Sequence, residues 1–343
     1  MLPTTLDDVL VRVRARLEQD DVSGAVALVE ALRPPDQADL FAELDPAAQT
    51  TLLPKLDPGD SADILEELED DEAARLIDGL SDAERARIVD EMEPDEAADL
   101  LAELDEAQVN AILSRLEDPN EVRPLLVHPK DSAGGLMTSS HLALRRRMTV
   151  ADALATIRAL KPDSEEIYHL FVVDQHGRLC GDITFRQLVM AEAHALLSDV
   201  MNPEVISVPV GVDQEDVARL VARYDLLALP VVDELGLLMG VITVDDVIDV
   251  LVEEATEDIQ RLGATEPLDK PYLESTPLTV FRKRIGWLLL LFVTETLTGT
   301  VLRHFEAALS TVVSLAFFIP LLIGTGGNAG SQTTSTIIRA LAL

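Results

Sequence analysis

The chain has 343 residues, 62 of them acidic against 27 basic, and a formal charge of −35 at pH 7. Binding a phosphate backbone needs clustered Lys and Arg, so this balance argues against a nucleic-acid partner and for divalent cations. The lone Cys180 excludes an intramolecular disulfide framework, and no charged-then-apolar secretion signal follows Met1, so the acidic part is expected in the cytoplasm.

The acid is unevenly spread. Residues 1–130 carry 34 acidic and 11 basic side chains, residues 131–262 carry 23 and 10, and residues 263–343 carry 5 and 6. In the first part a 12-residue period starts at Leu44-Asp45-Pro46 and returns at Leu56-Asp57-Pro58, Leu68-Glu69-Asp70, Leu80-Ser81-Asp82, Met92-Glu93-Pro94 and Leu104-Asp105-Glu106. An apolar pair follows in each unit, from Leu52-Leu53 to Ile112-Leu113. Asp or Ser beside Pro is helix-start chemistry. Each unit therefore predicts a helix of about two turns, too short to stand alone and stabilised only by stacking. The expectation for residues 1–130 is an all-α superhelix with an acidic outer face.

Near Gly134-Gly135-Leu136-Met137 the pattern changes to two similar halves, each predicting helix, strand, Gly-containing hairpin, strand and helix. The strands and turns read "IYHLFVVDQHGRLCGDITFRQLV" from Ile167 and "LLALPVVDELGLLMGVITVDDVI" from Leu226. This resembles a tandem CBS-domain pair over residues 131–250, an α/β regulatory module. That resemblance implies an adenine-nucleotide site, with ATP as a candidate ligand and with Thr243 and Asp246 as its contacts. The first half has Gln187 where the second has Asp246, so half of the signature is missing.

Acid then gathers on one predicted helix. Asp246, Asp249, Glu253 and Glu257 are three or four residues apart, so their carboxylates share a face and repel unless a hard cation with oxygen ligands joins them. The helix and a linker are expected over residues 251–280, and a partial transmembrane domain over 281–343. There Arg282-Lys283-Arg284 precedes an apolar run from Ile285 to Leu302, long enough to span hydrocarbon and oriented with its amino-terminal side in the cytoplasm. A second run, Ala307 to Gly324, carries Pro320 and ends in "GTGGNAG", where irregular backbone facing a cavity or protein is expected. Two membrane helices and the start of a third are predicted.

The order of acidic short helices, "AGGLM", paired CBS halves, "EATEDI" and "PLLIGTGGNAGSQ" resembles the MgtE magnesium channel family from near residue 30 to the end. The resemblance implies a homodimer in the plasma or inner membrane, multi-pass, with a cytoplasmic amino terminus, whose cytoplasmic domains sense Mg²⁺. It implies metal ligands at Asp63, Asp95 and Asp99 in the repeat domain, at Glu215, Asp225, Asp246 and Asp249 in the CBS pair, and at Glu254, Glu257 and Asp258 on the connecting helix. Asn328 is the implied pore residue. Family members have five membrane helices, so this chain is expected to lack the last of them.

Two function classes follow. One is a magnesium-gated magnesium channel or transporter. The other is a non-conducting, membrane-tethered sensor of magnesium or adenine nucleotide. No Ser/His/Asp or Cys/His set, phosphate loop or dinucleotide fingerprint points to an enzyme.

Overall fold

A computed structural model describes residues 5–161, 167, 169–263, 265–268, 272, 275–311 and 315–342. The chain divides into two compact units, Met1–Leu251 and Val252–Leu343.

The first unit opens with ten helices: α1 (Leu6–Glu18), α2 (Val22–Val29), α3 (Pro34–Ala42), α4 (Pro46–Leu52), α5 (Pro58–Glu66), α6 (Asp70–Asp78), α7 (Asp82–Val89), α8 (Pro94–Ala102), α9 (Glu106–Leu113) and α10 (Pro119–Val122). Their starts are where the repeat puts its capping residues. Asp45 accepts the amides of Ala47 and Ala48, Ser81 forms a capping box with Glu84, and Asp105 forms one with Gln108. Pro46, Pro58 and Pro94 occupy the first helical position, where a missing N–H costs nothing.

Alternate helices pack on each other, α3 on α5, α5 on α7, α7 on α9 and α6 on α8. Every apolar pair of the repeat is buried between them, from Leu52-Leu53 through Leu100-Leu101 to Ile112-Leu113. Each such side chain contributes about 1.5–3 kcal/mol. One phase of the repeat is buried yet polar: the side chains of Gln49, Ser61 and Arg85 donate to the carbonyls of Phe41, Leu53 and Ile77, each at 2.9 Å. They satisfy the carbonyls that a short helix leaves open at its end. A second set of links ties the ends of α2, α5 and α7 to the start of the third helix onward. Carboxylates of Glu30, Glu66 and Asp90 accept the amides of Asp57, Glu93 and Glu117 at 3.2, 2.7 and 2.8 Å.

The same unit continues into the paired α/β halves. The first comprises β1 (Ala143–Arg145), α11 (Val150–Leu160), β2 (His169–Val173), β3 (Leu179–Thr184), α12 (Phe185–Met190) and α13 (Leu197–Val200). The second has β4 (Val208–Pro209), α14 (Gln214–Tyr224), β5 (Ala228–Val232), β6 (Leu238–Thr243) and α15, Val244–Leu262, which crosses the boundary between the units. In both sheets the first pairing is parallel and the second antiparallel. Both hairpins carry a bulge at the same place, after Val172 and after Val231. Their turns need Gly177 (φ +85°) and Gly236 (φ +77°), and the two turns bond to each other, Leu179 N–H to Gly236 O and Leu238 N–H to Gly177 O.

The "AGGLM" segment lies along the second half: Ala133 N–H donates to Val212 O, Gly134 N–H to Val210 O, and Thr138 pairs with Val241. Close approach requires its glycine. A Cβ on Gly135 would sit 2.3 Å from Pro129 O and 2.6 Å from Lys130 O. One buried apolar cluster runs from α1 through the superhelix into the second half, whereas the first half has a cluster of its own.

The second unit contains the end of α15, then α16 (Pro277–His304), α17 (Glu306–Thr311) and α18 (Leu315–Ala342). Among the described residues one helix, α16, is long and apolar enough to cross a membrane. The acidic helix predicted to carry Asp246, Asp249, Glu253 and Glu257 is α15, Val244–Leu262. Of the second predicted span, Ala307 to Gly324, residues 312–314 lie outside the described residues; the rest is helical, in α17 and α18. The "GTGGNAG" stretch is helical rather than irregular, and no third helix starts after it, because α18 runs unbroken through Pro320 to Ala342. A proline deletes a single backbone bond, and glycine costs about 1 kcal/mol in a helix. Keeping the remaining bonds within the segment is cheaper than freeing them.

Candidate metal site

The predicted ligands of the first unit fall into two groups. Asp95 and Asp99 lie on α8 and Asp246 lies at the start of α15; these three are brought into one acidic patch. Glu215 and Asp225 stand elsewhere, on α14. Glu215 pairs with Arg219, and Asp225 is the left-handed C-terminal residue of that helix, with φ +51°. Asp249 is exposed one turn after Asp246. Asp63 is half-buried on α5, its carboxyl raised by burial and by Asp60.

Asp95 is the central member. It is 6% exposed, and its Oδ1 has no hydrogen-bond partner. Burial holds its carboxyl well above the usual range, and the charges of Asp246 and Glu93 add to that. Its neighbour Glu96 is pushed up to about 8 by burial and by repulsion from Asp99, Glu66, Asp246 and Asp70. Asp99 is raised to about 6, chiefly by burial, with Lys130 pulling the other way. Asp246 is raised to about 6 by burial first, against a hydrogen bond from Thr243. The charge of Asp246 raises both Asp95 and Glu96, and Asp245 and Asp249 on its own helix raise Asp246 in turn.

Such a patch is unstable as a set of anions. Four carboxylates with few donors favour either protons or a hard cation that takes oxygen ligands. The orphaned Oδ1 of Asp95 and the all-oxygen donor set fit Mg²⁺ in kind. Among the described residues, no three His, Cys, Asp or Glu side chains stand close enough to form a ready ligand set. The patch is a place where a cation would draw carboxylates together, not a preformed cage.

Sequence reasoning missed four charged members. Glu96 was legible, three residues before Asp99 and so on its face. Glu66 reaches α8 through its bond to the Glu93 amide. Asp70 and Lys130 are joined to the patch only by the fold: the Lys130 ammonium lies 2.5 Å from Asp70 and 3.5 Å from Asp99. Burial works against that ammonium, but the bond to Asp70 and the charges of Asp99, Asp70 and Glu103 outweigh it and hold the group above its ordinary value.

Thr243 and Asp246, expected as ribose contacts, bond to each other: the Thr243 hydroxyl donates to Asp246 Oδ2 at 2.5 Å and its amide donates at 3.2 Å. The equivalent Thr184 and Gln187 form a capping box on α12, so the motif starts a helix in both halves. A cavity is lined instead by Leu179, Cys180, Pro203, Val205, Ser207, Val232 and Gly236. Of the ligands predicted in the second unit, Glu257 pairs with Arg261, and Glu254 and Asp258 are half-buried on the same helix. Asn328 is exposed on α18.

A stacked acidic superhelix is joined to paired α/β halves, and the second unit holds an apolar helix long enough to cross a membrane. The family model of the MgtE intracellular N domain matches residues 32–131, and the CBS domain matches 133–194 and 197–253. Magnesium transporter MgtE of Thermus thermophilus is 48% identical over 222 residues, 65% of this chain and 49% of that protein. Its Bacillus subtilis counterpart is 38% identical over 220 residues, 64% and 48%. Among solved structures, the soluble part of a magnesium transporter is 33% identical with a TM-score of 0.65, over 73% of this chain and all of that one. The cytosolic domain of the Mg²⁺ channel MgtE in complex with ATP is 37% identical with a TM-score of 0.66, over 70% and 99%. The chain belongs to the MgtE family. It spans about half the length of the curated relatives it matches.

Proposed function

We propose that this chain is the sensing portion, with part of the membrane domain, of a magnesium-gated magnesium channel or transporter. The observation that carries the reading is the orphaned carboxylate of Asp95, buried beside Glu96 and facing the charge of Asp246 from the regulatory half. Bound Mg²⁺ would supply the positive charge that lets these groups ionise together. At low Mg²⁺ Asp95, Glu96, Asp99 and Asp246 can stay together only by holding protons; where they ionise, the superhelix and the second CBS half repel. At high Mg²⁺ that repulsion is cancelled and the two stay closed. Asp63, Glu215, Asp225, Asp249, Glu254, Glu257 and Asp258 are proposed further ligands, and Asn328 is the proposed pore residue. The family relationship supports a homodimer in the cell membrane with the acidic domains in the cytoplasm.

Limited proteolysis of the full chain in detergent tests the sensing step. Millimolar Mg²⁺ should protect the junction between α8 and α15, and the paired change Asp95→Asn with Asp246→Asn should abolish the difference. Equal cleavage of the wild type in chelator and in Mg²⁺ would sink the reading.

An adenine nucleotide is proposed as a second ligand, because a 37% identical relative was solved with ATP and a cavity opens between the hairpins of the two CBS halves at Cys180 and Val232. ATP should protect Cys180 from thiol reagents.

A further inference from the structure

The acidic patch already contains one cation, and it is covalently attached. Lys130 follows α10 and the short turn Leu125–Val127, and it precedes the segment that Ala133 and Gly134 anchor to the second CBS half. Its backbone is held on both sides: Asp131 O accepts the Gln214 amide at 3.0 Å, and Gly135 packs so near that a Cβ added to it would lie 2.6 Å from Lys130 O and 2.8 Å from Lys130 Cα. From that fixed point the ammonium reaches Asp70 at the start of α6 and Asp99 on α8.

We propose that Lys130 is a specificity-determining residue of the ion site: its ammonium occupies the Asp70–Asp99 end of the patch, confines the divalent cation to the Asp95–Glu96–Asp246 end, and lowers the affinity for that cation. This rests on the magnesium-sensing reading above. Two independent features carry it. One is the double contact of Lys130, made by a side chain whose backbone has no freedom to retreat. The other is the asymmetry of the patch, because the buried oxygen without a partner belongs to Asp95, whereas Lys130 pairs with Asp70 and Asp99. An attached ammonium competes at an effective concentration on the order of millimolar. That matches a site that must empty and fill with a free ion of similar concentration. It is also a point charge with three donors, able to hold two carboxylates but unable to order the six oxygens that a divalent ion takes.

The test is Mn²⁺ binding to the full chain in detergent, followed by electron paramagnetic resonance of free Mn²⁺. Lys130→Met keeps the aliphatic stem and removes the charge. The proposal expects this variant to bind Mn²⁺ about tenfold tighter or to take up one additional ion per chain. Lys130→Arg should bind as the wild type does. In chelator Lys130→Met should be cut faster by protease than the wild type, with Mn²⁺ restoring protection, which separates an emptied site from a failure to fold. Identical affinity and stoichiometry in Lys130→Met and wild type would overturn the proposal alone, provided Asp95→Asn weakens binding. Absence of Mn²⁺ binding in every form would overturn it together with the sensing reading.

Discussion

Asp246 at the start of α15 repels the buried carboxyl of Asp95 on α8, although most of the CBS pair separates them in sequence. Like charges across a junction cost stability whenever both are ionised and no cation lies between them. Asp246→Asn removes one partner while keeping an oxygen for the Thr243 bonds. At about pH 7.5 in chelator it should stabilise the first unit by roughly 3 kcal/mol, the order implied by a carboxyl raised from 3.8 to about 6. Calorimetry should read a rise in midpoint of about 6–12 °C. The gain on adding Mg²⁺ should shrink in the same variant.

The raised carboxyls also fix a pH dependence. A carboxyl raised in the fold stabilises most where it is protonated in both states, and that stability is lost as pH climbs through the folded value. Here the ordinary values are 3.8 and 4.5, and the folded ones are about 6 for Asp99 and Asp246 and about 8 for Glu96, with Asp95 also raised. In chelator, denaturant midpoints should therefore fall from about pH 4 to about pH 8. Around these groups stand Asp63 and Glu66 on α5, Asp70, Glu93, Glu103, Asp245 and Asp249, all of them acidic side chains, against Lys130 as the near cation. The exposed and lowered Asp21, Glu84 and Asp174 act in the opposite sense, below their ordinary values and outside this window. Saturating Mg²⁺ should flatten the curve. A midpoint that rises over the same range in chelator would show that the patch is not crowded.

Much of this was legible because repeats report packing directly. The 12-residue phase located the caps at Asp45, Ser81 and Asp105 and every buried apolar pair, since a short helix can bury only the face that its neighbours cover. The duplicated strand and turn pattern gave the two α/β halves for the same reason. The patch was legible on single helices only: Asp95 and Asp99 share a face of α8, and Asp246 and Asp249 share one of α15. Asp70 and Lys130 reach it through the superhelix fold and the anchored "AGGLM" segment, relations that no periodicity carries. The membrane end failed differently. Pro320 and the glycines lower helix propensity, but propensity does not decide a segment whose backbone has no other partner.

The orientation of α16 can be checked with the chain's own thiol. Arg282, Lys283 and Arg284 precede the apolar stretch, and positive charge is retained on the cytoplasmic side. In intact cells a membrane-impermeant maleimide should leave Cys180 unmodified, and lysis should make it reactive. Changing the three basic residues to Glu should lower the fraction of chains inserted this way, read as Cys180 labelling before lysis. Full labelling of the wild type in intact cells would reverse the orientation proposed here.

Gly135 offers the sharpest packing test, because the atoms that a side chain would meet belong to the backbone and cannot rotate away. A Cβ there would lie 2.3 Å from Pro129 O and 2.6 Å from Lys130 O, well inside any tolerable contact. Gly135→Ala must therefore move either the "AGGLM" segment off the second CBS half or the Lys130 backbone away from Asp70 and Asp99. Overpacking of this kind costs about 1–3 kcal/mol. Gly211 is the control: a Cβ there meets nothing within 4 Å, so Gly211→Ala should stay within about 0.5 kcal/mol of wild type. Paired denaturant titrations in chelator should separate the two variants by that margin. If the lysine is what moves, Gly135→Ala should also tighten Mn²⁺ binding in the manner of Lys130→Met, whereas displacement of the segment alone would leave the affinity at its wild-type value.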